Sequence, residues 1–382
     1  MSVVRDIKTL FREELQAQVT AWGEPAYRAD QVLEWLYRHC VTDWSAMTNV
    51  PRSLQQRLGE HFSLQTLVCI RLRGSADQTR KFLWRLPDGA FIESVLIPAN
   101  PALYGEPADR HTLCVSTQVG CAYGCRFCAS GLDGWKRNLQ PHEIVEQVLA
   151  VERWHRTQEG SERGANRGSG RLVDNLVIMG MGEPLANYDN LMRALRILNA
   201  PWGGGIGARK ITISTSGVVP GIRRLAEEPE QFRLAVSLHG ATDAVRGRIM
   251  PVNRKYPLAE LVAALEYYQK RKGRMLTFEY ILIEGVNDSP DQVPPLAALA
   301  RRLHAKVNLI PYNPVEGLEW RRPAPAACEA FYQALRRAGV TVTLRREKGV
   351  DIDAACGQLR LRTEREFDMV RSGSGAGETP GE

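Results

Sequence analysis

No apolar run in the 382 residues reaches the roughly 18 that a membrane-spanning helix requires. No signal peptide opens the chain either, so a cytoplasmic protein with no membrane partner is expected. An excess of acidic charge is also missing: 50 Lys and Arg stand against 43 Asp and Glu, giving a net charge of +7 and a pI near 9.0. That balance favours a polyanionic partner, although many basic proteins bind no nucleic acid. Cysteines spaced as a disulfide framework are absent as well. Four of the eight fall within fifteen residues, which fits metal and redox use in a reducing compartment. Internal repeats are lacking beyond an alternation of strands and helices. The length allows one large catalytic core with a smaller appended domain.

The most informative stretch is Cys121-Ala122-Tyr123-Gly124-Cys125-Arg126-Phe127-Cys128, a CxxxCxxC spacing just after a short apolar run. Three thiolates this close can converge on one metal centre. A four-iron cluster held by only three cysteines leaves one iron without a protein ligand, open to a small molecule. Zinc is the alternative, with Cys114 or a histidine as fourth ligand. Zinc sites usually pair their cysteines as CxxC and need four ligands, so the spacing favours the cluster.

Residues 1 to about 62 read as helical. Ala29, Val32, Leu33, Leu36 and Tyr37 recur at three- and four-residue steps behind Pro25, and a second helix is expected after Pro51. Alternating segments at 67–72, 81–86 and 91–97, with a Pro87-Asp88-Gly89 turn, predict a short antiparallel sheet over 63–100. From 101 to 360, strand patterns at 113–116, 176–179, 210–214, 234–238, 277–282, 306–310 and 340–344 alternate with helical patterns at 141–156, 187–199, 257–271, 290–304 and 324–338. Repeated βα units predict an α/β fold with a parallel sheet and active groups at the C-terminal strand ends. Periodicity does not choose between an open sheet and a barrel. Residues 157–170 read as an exposed insertion, and the tail of 361–382 is expected to be disordered at its end.

Several strand ends carry polar groups: Met179-Gly180-Met181-Gly182-Glu183-Pro184, Ser214, Ser237-Leu238-His239 and Asn313. Taken singly, each is more often a turn former. Glycines do let backbone approach a ligand, and the Glu183 carboxylate can pair with an ammonium.

Together with the cysteine motif, the run Leu113-Cys114-Val115-Ser116-Thr117-Gln118-Val119-Gly120-Cys121 and the late Asp353-Ala354-Ala355-Cys356-Gly357-Gln358-Leu359 give a specific resemblance. Over about residues 20–360 the chain resembles the RlmN/Cfr family of radical S-adenosylmethionine RNA methyltransferases. The resemblance implies a partial (β/α)6 barrel, with Cys121, Cys125 and Cys128 holding a 4Fe-4S cluster. S-adenosylmethionine would be bound by Gly182, Glu183, Ser214, Ser237, Leu238, His239 and Asn313. Cys356 would accept a methyl group and Cys114 would close a transient disulfide with it, to be reduced by external thiols. Glu93 would accept a proton, where its spacing alone reads as a solvated strand carboxylate.

The implied substrates are an adenosine of 23S rRNA in the peptidyl-transferase centre and the adenosine beside the tRNA anticodon, methylated at carbon 2. A flavodoxin-type electron donor and a monomer are expected. The helical domain is either an RNA-docking unit or a packing extension. Lys136-Arg137, Arg209-Lys210, Arg254-Lys255 and Arg345-Arg346 are the expected phosphate contacts. Three rival readings are a Cfr-type enzyme acting at carbon 8, a zinc-stabilised RNA-binding protein, and a radical enzyme acting on a small molecule.

Overall fold

The computed structural model describes residues 4–75, 77–99, 110–132, 134–159, 171–345, 359–361 and 363–364. Its first helices are α1 (Arg12–Ala21), α2 (Tyr27–Glu34) and α3 (Arg52–His61). Leu15, Val19, Ala29, Val32, Leu33, Leu54 and Leu58 are buried between them, which is the apolar face that the three- and four-residue spacing predicts. α2 starts two residues after Pro25 and widens into one π turn, Trp35–His39, closed by Cys40 in the left-handed region at φ 55. A buried lysine fixes this unit to the rest of the protein. Lys8 pairs with Asp6 at 3.4 Å and with Glu146 at 3.5 Å, on the first helix of the parallel region.

Strands β1 (Val68–Gly74), β2 (Arg80–Arg85) and β3 (Phe91–Pro98) form the expected antiparallel meander, and β3 runs antiparallel to β4 (His111–Cys114). A hairpin absent from the sequence reading follows, β5 (Gln118–Gly120) with β6 (Trp135–Asn138), and it brackets the cysteine loop. From β4 onward the main sheet is parallel through β7 (Val173–Ile178), β8 (Ile211–Thr215), β9 (Arg233–Ser237), β10 (Thr277–Leu282), β11 (Lys306–Pro311) and β12 (Val342–Leu344). Each parallel strand lies beside its neighbour in this order. Right-handed crossovers in one direction put the helices on one face, which is the order of a barrel and not of a doubly wound sheet. Among the described residues β1 and β12 are its two edges, so the sheet stays open.

The covering helices are α4 (Pro141–Glu159), α5 (Tyr188–Asn199), α6 (Val219–Glu227), α7 (Asp243–Ile249), α8 (Leu258–Lys272), α9 (Val293–Arg302) and α10 (Pro325–Arg337). α6 and α7 were not expected. They span nine and seven residues, too short for a periodic signal to stand out. One apolar core joins the N-terminal helices to the parallel sheet. A second cluster, with Ala129, Ile249, Met250, Ile283, Tyr312 and Leu361, packs at the cysteine loop. Leu361 and Thr363, at the start of the expected tail, are buried. Residues 160–170 of the expected insertion and 365–382 of the expected tail lie outside the described residues. No helix among the described residues is long and apolar enough to cross a membrane.

Candidate active site

The segments leaving β4 and β7 are joined backbone to backbone. Thr117 N–H donates to the Met181 carbonyl at 2.8 Å and Gly180 N–H to the Val115 carbonyl at 3.0 Å. Only glycine permits this approach. A Cβ at Gly180 would lie 2.6 Å from the Val115 carbonyl carbon, and one at Gly182 (φ +96) would lie 2.5 Å from Gln118 Cβ. Gln118 Oε1 accepts from Glu183 N–H at 2.8 Å, and Ser116 Oγ donates to the Glu93 carbonyl at 2.7 Å while accepting from Met181 N–H at 2.9 Å. Gln147 of α4 holds both backbone groups of Ser116 from behind.

Glu183 is buried and accepts three hydrogen bonds. Its Oε1 accepts from Leu185 N–H at 3.0 Å and Thr215 Oγ1 at 2.8 Å, and its Oε2 accepts from Ser216 N–H at 2.7 Å. Burial pushes its pKa up and the N–H of Ser216 opposes that rise. A carboxylate has about four acceptor positions, so roughly one is left for a ligand. The Ser216 hydroxyl, like its N–H, favours the charged form of Glu183.

His239, at the end of β9, is buried in the left-handed region at φ 52. Its Nδ1 accepts from Ile281 N–H at 3.0 Å, which places the ring proton on Nε2. Burial, helped by the Arg246 charge, pulls its pKa down to about 3. The Phe127 ring meets it edge-on at 4.8 Å. Ser214 and Ser237 are half-buried at their strand ends, Leu238 is buried, and Leu238 N–H donates to the Glu279 carbonyl at 3.0 Å.

A cavity of about 270 Å³ opens between the sheet and the cysteine loop. Cys114, Cys128, Phe127, Tyr312, Asn313 and Arg345 line it, but Glu183, Ser214, Ser237, His239 and Glu93 do not. Cys356 lies outside the described residues. Among the expected phosphate contacts, Arg137 is committed internally to Glu143 at 2.8 Å and Asp88 at 2.6 Å, and Lys136 lies 3.3 Å from Glu364. Arg209, Lys210, Arg254 and Lys255 are exposed.

Sequence reasoning passed over Arg246, which is 0% exposed. Its guanidinium donates to Asn253 Oδ1 at 2.7 Å and to the Ser216 carbonyl. Burial lowers its pKa to about 10, against the pull of Cys125 and Asp243. Asn287 was also missed. Its amide donates to the carbonyls of His239 at 2.8 Å and Ile281 at 2.6 Å, and it accepts from Ile283 N–H at 2.8 Å, pinning the loop after β10 to His239. A possible signal was the turn pattern Gly285-Val286-Asn287-Asp288.

A parallel sheet in barrel order, with a three-cysteine loop at its C-terminal strand ends, defines a radical S-adenosylmethionine enzyme. Residues 165–293 match the radical SAM superfamily model, and residues 6–64 match the ribosomal RNA large subunit methyltransferase N-terminal domain. A probable dual-specificity RNA methyltransferase RlmN from Akkermansia muciniphila is 53% identical, covering 93% of this chain and 95% of that protein. The dual-specificity RNA methyltransferase RlmN of Anaeromyxobacter dehalogenans is 48% identical, covering 93% and 91%. The crystal structure of a radical SAM methyltransferase from Sphaerobacter thermophilus matches with a TM-score of 0.84 at 45% identity, covering 93% of this chain and 98% of that one. The chain belongs to the RlmN family. It is an S-adenosylmethionine-dependent RNA methyltransferase, with a 4Fe-4S cluster and S-adenosylmethionine as cofactors.

The residues present fit those cofactors. Cys121, Cys125 and Cys128 are half-buried on one loop; Cys125 feels the charge of the other two and Cys121 that of Cys128. Burial pushes Cys121 up to about 12 and Cys125 well above the ordinary thiol range. A bound metal would deprotonate such thiols outright. Among the described residues no three His, Cys, Asp or Glu side chains already form a closed metal-binding group, so the fit lies in donor type and shared loop.

Proposed function

We propose that the protein methylates carbon 2 of an adenosine in 23S rRNA and of the adenosine beside the anticodon in tRNA. When bound, the cluster and S-adenosylmethionine supply an electron, a methyl group and a carbon radical. Cys121, Cys125 and Cys128 hold the cluster. Gly182 and Glu183 receive the methionine amine, and Ser214, Ser237, Leu238, His239 and Asn313 bind the rest of the cofactor. Cys356 takes the methyl group on its sulfur; one hydrogen atom of that methyl would go to the cofactor-derived radical, its carbon would bond to carbon 2 of adenine, and the surplus electron of the adduct would return to the cluster. Glu93 accepts the proton leaving carbon 2. The Cys114 thiolate then attacks the Cys356 sulfur, breaking the bond to the methylene carbon, which leaves with the electron pair and takes up a proton to become the methyl group, and leaving a disulfide for cytoplasmic thiols to reduce.

The observation that carries this reading is a convergence: Cys114 and Cys128 line one cavity, and Arg360, four residues after Cys356, donates its N–H to Glu93 at 2.7 Å. A flavodoxin-type protein, a monomer and a cytoplasmic setting complete the proposal. The test is anaerobic incubation with methyl-labelled S-adenosylmethionine and either RNA, followed by nucleoside mass spectrometry. Labelled 2-methyladenosine from both RNAs is expected. Label at carbon 8, or none, overturns the assignment.

A further inference from the structure

We propose that Lys81 is a positioning residue for methyl transfer: through Glu93 it seats the C-terminal segment that follows Cys356. Lys81 is 0% exposed and Glu93 2%, and the ammonium lies 3.0 Å from Glu93 Oε2. The other carboxylate oxygen, Oε1, accepts the backbone N–H of Arg360 at 2.7 Å. One carboxylate thus joins Lys81 of β2 to a segment 267 residues beyond Glu93 itself.

Sheet register puts this anchor on the cavity side. Lys81 pairs with Val95 on β3, Val95 with Cys114 on β4, and Cys114 with Val177 on β7. Directly opposed residues point to one face of a sheet, and Glu93, two positions from Val95, shares it. Val95, Cys114 and Val177 line the cavity, so Lys81 lies in the row of the candidate resolving thiol and the carboxylate it holds lies on the same face, two positions along β3. Four residues of chain reach at most about 14 Å, so fixing Arg360 tethers Cys356 within that distance of it. Leu361, next to Arg360, packs in the apolar cluster that Cys125 and Phe127 flank.

A buried ion pair contributes little net stability, because desolvating two charges offsets their attraction. Orientation is what this pair adds. Lys81 fixes the carboxylate rotamer so that Oε1 presents a lone pair to Arg360, and the segment docks in one register.

The inference rests on the reading that Cys114 and Cys356 are the reacting pair. Its test uses the full chain, loaded anaerobically with its cluster. Hydrogen exchange of peptides covering 359–364 is measured together with methylated adenosine formed and S-adenosylmethionine cleaved. Lys81→Met is expected to speed exchange at Arg360 by about tenfold or more, and to lower methylation by a similar factor while cofactor cleavage continues. Lys81→Arg is expected to restore both. If Lys81→Met does not fold, Lys81→Met/Glu93→Leu removes both charges together and is expected to fold, with fast exchange at Arg360. Exchange at Arg360 unchanged in the folded variant, unchanged methylation by Lys81→Met, or no rescue by arginine overturns the proposal. Failure of the two-cysteine reading shows elsewhere, as methylation retained by Cys356→Ala with Lys81 intact.

Discussion

Gly182 sits against Gln118 so closely that a Cβ added to it would lie 2.5 Å from the Gln118 Cβ and 2.8 Å from its backbone nitrogen. This contact locks the segment after β7 onto the one that leads into the cysteine loop. The segment that carries Glu183 and the cysteine loop are therefore one mechanical unit.

Gly182→Ala should break that unit. The added methyl meets Gln118 Cβ, Cγ and backbone nitrogen, not a flexible tip, and φ +96 disfavours any Cβ. Affinity for S-adenosylmethionine in anaerobic equilibrium binding is expected to fall by about tenfold or more. Iron content, measured in the same preparation, is expected to stay near the wild-type level.

Glu183→Gln exchanges one acceptor oxygen for an NH2 group. In either amide orientation a donor faces Ser216 N–H, or Leu185 N–H and the Thr215 hydroxyl. Leaving one buried donor unsatisfied costs about 1–3 kcal/mol, read as a lower urea midpoint. Cofactor affinity is expected to drop as well. Lower stability with unchanged affinity would restrict Glu183 to holding Thr215 and Ser216 in place.

His239 makes the fold sensitive to acid. Its pKa falls from the ordinary 6.5 to about 3 in the folded state, so below 6.5 the unfolded chain takes up a proton that the folded chain refuses. The stability it contributes is present above about pH 6.5 and is lost as pH falls toward 3, at about 1.4 kcal/mol per unit. Between pH 7.5 and pH 5 the wild type should lose about 2 kcal/mol more than His239→Asn in urea titrations. Equal losses would mean that the ring is protonated in the fold.

The local signals were legible in the sequence. CxxxCxxC, the glycines before Glu183 and polar groups at strand ends all sit where strand-then-loop patterning put them. What stayed hidden depends on partners distant in sequence. Arg246 in Val245-Arg246-Gly247-Arg248 looks like a solvated cation, yet Gly217 and Gly240 leave the space that buries it. A Cβ at Gly240 would lie 2.5 Å from the Arg246 nitrogen. Glu93 reads as a solvated strand carboxylate because neither Lys81, on the neighbouring strand, nor Arg360 is visible as its partner. The β5–β6 hairpin was hidden by Trp135-Lys136-Arg137-Asn138, four residues with no alternation of apolar and polar character.

The central claim is that two cysteines act on opposite sides of one covalent protein–RNA intermediate, and a pair of variants tests it most directly. Cys114→Ala and Cys356→Ala, each loaded with its cluster, are incubated anaerobically with S-adenosylmethionine, reductant and RNA, then run on denaturing gels. Cys114→Ala keeps the sulfur that carries the methyl carbon but lacks the thiol that displaces it. It should accumulate a slow band that survives reductant and disappears with nuclease, while Cys356→Ala forms none. Normal turnover by Cys114→Ala, or the same band from Cys356→Ala, would contradict the account.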